Sequence, residues 1–576
     1  MRSATSFAER ASALALTGGW PLRILVWSVI VVFYALTAAG NLSEPDDAFA
    51  FAHRVEHFAV THVSDPRLLG YHALARCLWL VSESLGFGIR GLEILRGISI
   101  VCAAGCLWLV LRILVRNLAV EMNSALLATG LLACSYGFWR YAAEADVYVP
   151  AMMLCAGILH LLLEREGNPL RHAGIGALAG LCVLFYQPNA IPLFFAFPLL
   201  LLRVGAGSVI AYGVAGSAVA AAGYLAGYFA FWPAPLSLST FAEFMAQRSQ
   251  EFMVPPLSLK TVAVSGIRSI LALGHDLLST NWVFGLPHVD RLVQRIFSSH
   301  DIDQEVFLAR HAGMLVYAPL VTLALAGFAA WRVGMAARPL ALTVLRTRPI
   351  PVILLWVLLT AAVIGRLNPG GIEAWIVILL PLTLLVAVVF IAPARTLGRA
   401  RAAGLLLVAV ALHNAIGGMA LVQSKESDLT YLRGEWVVKN ARTGDLAIIV
   451  GDANLAEALR YRSHARVEMI SPYLLSPLAD ALQRRRDPDF PVVSIGREFA
   501  GTDVYALARQ TLANGDRLIL LDDFFTRNPR FRTPEKWIHG FENLKARCRV
   551  VHRSADGMAT CVLQEVGRGR QPEDGG

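Results

Sequence analysis

Apolar residues run in long blocks through the first three quarters of the chain and then stop. Between Ile24 and about Val422, blocks of roughly 17–25 apolar residues recur, long enough to cross a bilayer as helices. Eleven are predicted to span: about 24–40, 94–115, 122–138, 147–163, 173–187, 190–203, 208–231, 312–332, 350–365, 373–392 and 403–422. The pair at 173–203 is broken at Gln187-Pro188-Asn189, and the sixth block is short.

Two connecting stretches are too long to be simple turns: 41–91 and 231–311. The first contains DAFAFAHRVEHFAVTH and YHALARCLWLVSESLGF. The second contains LSTFAEFMAQRSQEFM and GIRSILALGHDLLSTNWVFGL. All four have helical periodicity with mixed faces, as expected of helices lying in a membrane interface.

After Val422 the pattern changes. DLAIIVGD and DRLILLDD read as short buried strands, and NLAEALRYRS and VYALARQTLAN as amphipathic helices. RCRVVHRSADGMATCVLQEV reads as a hairpin turning at Asp556-Gly557. The expected fold class is therefore a polytopic α-helical membrane protein with a small C-terminal α/β domain. The predicted boundaries are 1–23 for an inner terminus, 24–422 for the membrane region, 423–566 for the α/β domain and 567–576 for a disordered tail. The loop VGDANLAEAL lacks the glycine pattern of a dinucleotide site.

Composition agrees with this division. The chain is 56% hydrophobic and 16% charged, against about 25% charged in soluble domains. Its net charge of +9 comes mostly from arginine. No basic patch with interleaved aromatics appears, so no nucleic-acid partner is expected. With the N-terminus inside, the inner segments hold Arg2, Arg10, Arg23, Arg112, Arg116, Arg165, Arg171, Arg203, Arg332, Arg338, Arg346, Arg348, Arg395, Arg399 and Arg401. The short outer loops hold only Arg140 and Arg366. That bias fits the positive-inside rule. An odd number of spans then places the tail outside, which in a bacterium is the periplasm. TAAGN after the first block resembles a signal-cleavage site, but the block is long and more follow, so an uncleaved anchor is expected. Cys548 and Cys561 flank the tail hairpin, and a disulfide there depends on strand register. The other six cysteines read as core residues.

The acids Glu44, Asp46 and Asp47 stand directly after the first block, in NLSEPDDAFAFA. Ser43 and Asp46 fit a capping box with Pro45 in the first turn. A carboxylate near a low-dielectric surface can equally serve as a base. Both readings stay open on these residues alone.

EPDDAFAFA resembles the P-D-(D/E)-x-x-Y-A motif of the GT-C superfamily of membrane glycosyltransferases. The resemblance points to its protein mannosyltransferase-like (family 39) and aminoarabinose-transferase-like bacterial branches. DPRLLGYHALARCLW, FWRYAAEADVYVPAMML and NPGGIEAWIVILLPL resemble three further motifs, in the matching order. The likeness spans about residues 20–420. Phe49 replaces the usual tyrosine, Asp65-Pro66-Arg67 replaces a His-Pro or His-His pair with His72 later, and Asp146 replaces a glutamate.

The resemblance implies transfer of a sugar from a polyprenyl-phosphate donor to an acceptor hydroxyl on the outer face of a bacterial inner membrane, with inversion. It implies Asp46 as the base, with Asp47 second or holding acceptor or metal. Arg67, Arg140 and Arg366 are the phosphate candidates. Glu144, Asp146, Glu373 and His72 are the other binding candidates. Against these stand pairing of the arginines with Glu144, Glu373 and Asp65, helix-start roles for the acids, and a structural role for His72. No metal ligand is assigned: His53, His57 and His62 have a poor spacing, and metal use varies in the superfamily. His275-Asp276 and Asn281-Trp282 fit the acceptor side, or more simply a solvated loop. The competing classes are a non-catalytic relative acting in envelope assembly and a lipid or glycan transporter. The sugar, the acceptor and the prenyl length have no signature in the sequence.

Overall fold

Helix falls within each of the eleven apolar blocks in the computed structural model of the chain, covering some only in part. The structure describes residues 20–42, 47–57, 66–164, 168–232, 234–246, 258–286, 289, 317–337, 349–392, 397–450, 453–470, 504–521, 546–555 and 557–564. Five helical stretches are long and apolar enough to cross a membrane: Gly91–Asn117, Ala206–Phe231, Ile350–Leu367, Ile372–Ile391 and Ala400–Val422. Six more are apolar but shorter: Ile24–Leu36, Met122–Cys134, Tyr148–Leu163, Pro169–Phe185, Gln187–Leu201 and Ala318–Gly334.

The residues fall into two compact units, 1–40 with 54–427, and 41–53 with 428–576. In the first unit the core is built from Val110, Phe138, Leu159, Phe197, Trp356 and Leu380 among others. Many large apolar side chains point outward instead, such as Val214, Phe229, Leu358 and Val408. A hydrocarbon environment makes that exposure favourable. The Pro169–Phe185 and Ala206–Phe231 helices pack with their backbones in close approach. A Cβ at Gly176 would overlap the Tyr212 carbonyl, and one at Gly180 would overlap that of Gly216. Small residues of this kind let membrane helices associate by van der Waals packing.

Gln187-Pro188-Asn189 does break the chain there. The Pro169–Phe185 helix ends at Tyr186, which is extended, and a single 3₁₀ turn follows. The long connecting stretches carry the helices Ala48–His57, Leu69–Ser84, Leu238–Ala246 and Leu259–Leu277. The last is started by a capping box between Ser258 and Thr261. It exposes Leu259, Val262, Ile267 and Ile270 along one side, as an interfacial helix would.

In the second unit five strands form one mixed sheet. They are β1 (Leu446–Val450), β2 (Arg466–Ile470), β3 (Leu518–Leu521), β4 (Arg549–Arg553) and β5 (Ala559–Leu563), in the order β2-β1-β3-β5-β4. β1 pairs in parallel with β2 and β3, while β5 pairs antiparallel with β3 and β4. The helices Leu429–Asn440 and Ala453–Arg462 bring Val437, Leu455 and Leu459 into a core with Ile449, Val467 and Ile519. Asp445, just before β1, is clamped by Arg517, just before β3: Nη2 to Oδ2 is 2.6 Å and Nε to Oδ1 is 3.1 Å. Burial works against the carboxylate, but Arg517 and the backbone N–H groups of Arg442 and Arg517 outweigh it and hold Asp445 below the usual carboxylate range. Cys548 and Cys561 are joined in a disulfide. Asp556 and residues 567–576 lie outside the described residues.

Candidate functional site

A turn between two helices of the first unit gathers most of the polar chemistry. The short Tyr136–Tyr141 helix carries Arg140 in its last turn, and the Tyr148–Leu163 helix begins seven residues after Tyr141. Between them lie Glu144 and Asp146. Arg140 and Glu144 are both fully buried and bond to each other, Nη1 to Oε1. The second oxygen of Glu144 stands 3.4 Å from Nη2 of Arg96. The same Arg96 nitrogen donates to the Ala39 carbonyl at 3.0 Å, at the end of the first apolar block. Removing three charges from water is costly unless they pair. Two guanidiniums around one carboxylate therefore hold this turn in a fixed arrangement.

Asp146 is held on both its backbone and its side chain. Tyr71 and Ser99 each donate a hydroxyl to its carbonyl at 3.0 Å. Its carboxylate accepts from the Val147 N–H at 2.6 Å, at the start of the next helix. Next to it three tyrosines meet edge to face. Tyr141 and Tyr148 have ring centroids 5.9 Å apart, and Tyr148 and Tyr186 are 5.5 Å apart. Tyr186 lies within electrostatic reach of Glu373, Asp146 and Arg67. Tyr148 lies within reach of Glu373 and Asp146. Three candidates far apart in sequence, Arg67, Asp146 and Glu373, thus share one polar neighbourhood lined with phenols.

Arg67 is half-buried in the 3₁₀ turn Pro66–Leu68. His72 is buried beside Tyr71 on the Leu69–Ser84 helix. Arg366 is half-buried in the last turn of the Ile350–Leu367 helix, and Glu373 is in the first turn of the next. Of the two motif acids, Asp47 belongs to the second unit, where its carbonyl accepts the Phe51 N–H at 2.9 Å and opens the Ala48–His57 helix. Asp46, Ser43 and Asp65 lie outside the described residues. Among the described residues no group of His, Cys, Asp and Glu could hold a metal ion.

Arg96 is a member of this cluster that the sequence reading missed. A lone arginine inside an apolar block was its signal, since such a charge is retained only with a partner. The expectation of a solvated loop at 275–282 is overturned: His275, Asp276, Asn281 and Trp282 are all buried. Asn281 donates to the Tyr136 hydroxyl at 2.9 Å. Asn414 accepts from the Ser279 N–H at 2.9 Å and donates to the carbonyls of Cys134 and Leu277 at 2.7 and 2.9 Å. His413 faces the Ser279 carbonyl and the Thr322 hydroxyl at 3.1 and 3.0 Å. Asn281, Asn414 and His413 thus have hydrogen-bond partners, as buried polar groups generally do.

No protein-family model matches the chain, and no curated protein matches it in sequence. Solved structures do match. ArnT from Cupriavidus metallidurans, crystallised bound to undecaprenyl phosphate, aligns at TM-score 0.55 and 10% identity, covering 94% of this chain and 98% of that one. The apo crystal structure of the same ArnT aligns at TM-score 0.44 and 12% identity, over 95% and 98% of the two chains. The oligosaccharyltransferase AglB from Archaeoglobus fulgidus, in complex with an inhibitory peptide and a dolichol-phosphate, aligns at 0.42 and 15%, over 96% and 76%. The chain has the fold of ArnT, and the likeness read in its motifs, to GT-C membrane glycosyltransferases and their aminoarabinose-transferase-like branch, holds at the level of the fold.

Proposed function

We propose that this protein transfers a sugar from a polyprenyl-phosphate donor to an acceptor hydroxyl on the outer face of a bacterial inner membrane. The observation that carries the reading is the fold shared with ArnT over nearly the full length of both chains, in a structure that holds undecaprenyl phosphate. The buried cluster of Arg96, Arg140 and Glu144 supports it, because a phosphate leaving group needs preorganised guanidinium and hydrogen-bonding groups of this kind nearby.

In this reading Asp46 takes the proton of the acceptor hydroxyl as its oxygen attacks the anomeric carbon. The bond from that carbon to the phosphate oxygen breaks, and the polyprenyl phosphate leaves with the electron pair. Attack from the face opposite the phosphate inverts the anomeric centre. Asp47 orients the acceptor. Arg67 and Arg366, half-buried, meet the phosphate. Arg140, enclosed with Glu144, positions the turn that carries Asp146. Asp146, Glu373 and His72 bind sugar hydroxyls. All eleven apolar helices cross the membrane, with the N-terminus in the cytoplasm and residues 423–566 forming a periplasmic α/β domain. The Cys548–Cys561 bridge supports an oxidising compartment for that domain.

Native mass spectrometry of the purified protein in mild detergent tests the reading. A co-purified polyprenyl phosphate, bare or glycosylated, is expected. Ordinary phospholipid alone would overturn it in favour of a non-catalytic relative. Asp46→Asn is then expected to abolish transfer at unchanged thermal stability, since asparagine caps a helix as well as aspartate does.

A further inference from the structure

The acid-bearing segment is gripped at both of its ends by the C-terminal residues with which it forms one compact unit. Before the acids, the Leu42 N–H donates to Oδ2 of Asp428 at 2.8 Å. The other oxygen of Asp428 accepts from the Tyr431 N–H at 2.9 Å and so caps the Leu429–Asn440 helix. After the acids, the Phe49 ring packs on Tyr461, centroids 5.8 Å apart. Tyr461 lies in the last turn of the Ala453–Arg462 helix, and its neighbour Arg462 stacks over the Tyr431 ring at 4.5 Å. A chain of contacts results, running Leu42, Asp428, Tyr431, Arg462, Tyr461 and Phe49. Asp428, Phe49 and the flanking Ala48, Ala50 and Phe51 are buried, so this is not a surface association.

We infer that the C-terminal unit acts in catalysis by holding Leu42 and Phe49, which flank the acids in sequence, with Asp428 as a positioning residue through Leu42 and Tyr461 as a second through Phe49. The inference rests on the proposed function, since it takes Asp46 and Asp47 as the acids being placed. Phe49, where the motif usually has tyrosine, fits this role: a ring packed on Tyr461 in the interior has no hydroxyl to satisfy. Asp428 does something no neutral residue can repeat. Its two oxygens serve two N–H groups, one in each partner. An asparagine has one acceptor oxygen, and a serine keeps the helix cap without reaching both.

The test compares full-length wild type with Asp428→Ser, Asp428→Asn, Tyr461→Leu and Tyr461→Phe. Undecaprenyl phosphate carrying glucose, mannose or aminoarabinose is offered in turn as donor, with detergent-extracted envelope lipid as acceptor. Asp428→Ser and Asp428→Asn are expected to lower kcat by roughly 10–100-fold, as a small misplacement of a catalytic group does. The KM for donor stays unchanged, and amide exchange around Leu42 rises while that of β1 and β3 does not. Tyr461→Leu follows them in kcat, and Tyr461→Phe restores the wild-type rate because the ring contact is kept. Wild-type kcat in Asp428→Ser together with raised exchange at Leu42 would overturn the inference alone. So would unchanged exchange at Leu42. Full activity in both Asp46→Asn and Asp47→Asn, or a wild type that transfers nothing, would instead overturn the functional reading and the inference with it.

Discussion

Glu144→Gln isolates the energetics of the buried charge cluster. The substitution keeps the shape of the side chain but removes the carboxylate charge that pairs with both Arg96 and Arg140. Arg140 has no exposed surface, so its guanidinium cannot recover hydration, whereas the Arg96 side chain keeps 22% exposure and can. Breaking a buried pair by removing one partner costs about 3–5 kcal/mol. At about 2–4 °C per kcal/mol, and at the lower end for a large unit, the apparent Tm falls by roughly 6–10 °C. The assay is the loss of a monodisperse size-exclusion peak after heating in mild detergent. Arg140→Met combined with Glu144→Gln should be more stable than Glu144→Gln alone, because the stranded charge is gone. The exposed pair Lys439–Glu435, at 2.5 Å, serves as a control whose removal leaves the Tm unchanged. A shift below about 1 °C for Glu144→Gln, or single losses that simply add in the double variant, would refute the burial of this cluster as a coupled unit.

Three further outcomes follow from other parts of the molecule. Asp445 titrates below its ordinary range in the folded chain, so its contribution is complete above about pH 4 and is lost as pH falls through the lowered value. Exchange protection of β1 and β3 should therefore fall in acid, and Asp445→Asn should be less stable near neutrality and lose that part of the pH dependence. Cys561→Ser opens a bridge between residues 13 apart and should destabilise the β4–β5 hairpin by about 2–4 kcal/mol, read as faster amide exchange there. Gly176→Ala forces a Cβ into the Tyr212 carbonyl and should cost about 1–3 kcal/mol, read as a lower melting temperature in detergent.

Local pattern carried the helices and much of the site, and distance in sequence hid the rest. The presence of helix in the apolar blocks, the break at Gln187-Pro188-Asn189 and the paired strands either side of the predicted hairpin turn all depend on neighbours along the chain, and each has its counterpart among the described residues, although only five of the helices reach the length of a span. Arg140 and Glu144 were legible for the same reason, being four residues apart. Arg96 was not, because its partners Ala39 and Glu144 lie 57 and 48 residues away. Asn414 reaches back 280 residues to Cys134, so the polar knot around it reads in sequence as the end of a membrane block. The strand Arg466–Ile470 was missed because Arg466 and Glu468 interrupt its apolar run. In the fold they pair with each other at 2.9 Å on one side of the strand. The grip of Asp428 on Leu42 joins residues 386 apart and leaves no trace in either segment.

The close pair of helices at Pro169–Phe185 and Ala206–Phe231 bears on how the protein is made. Its contact surface is shape-matched at the backbone and needs no residue from later in the chain at Gly176 or Gly180. Such a pair can lock together in the bilayer as soon as residue 231 has left the ribosome, while more than half of the polypeptide is still to be synthesised. The remaining membrane helices would then assemble onto a finished hairpin. Substitutions at these glycines should accordingly reduce the amount of protein that reaches the membrane more than the activity of the molecules that do.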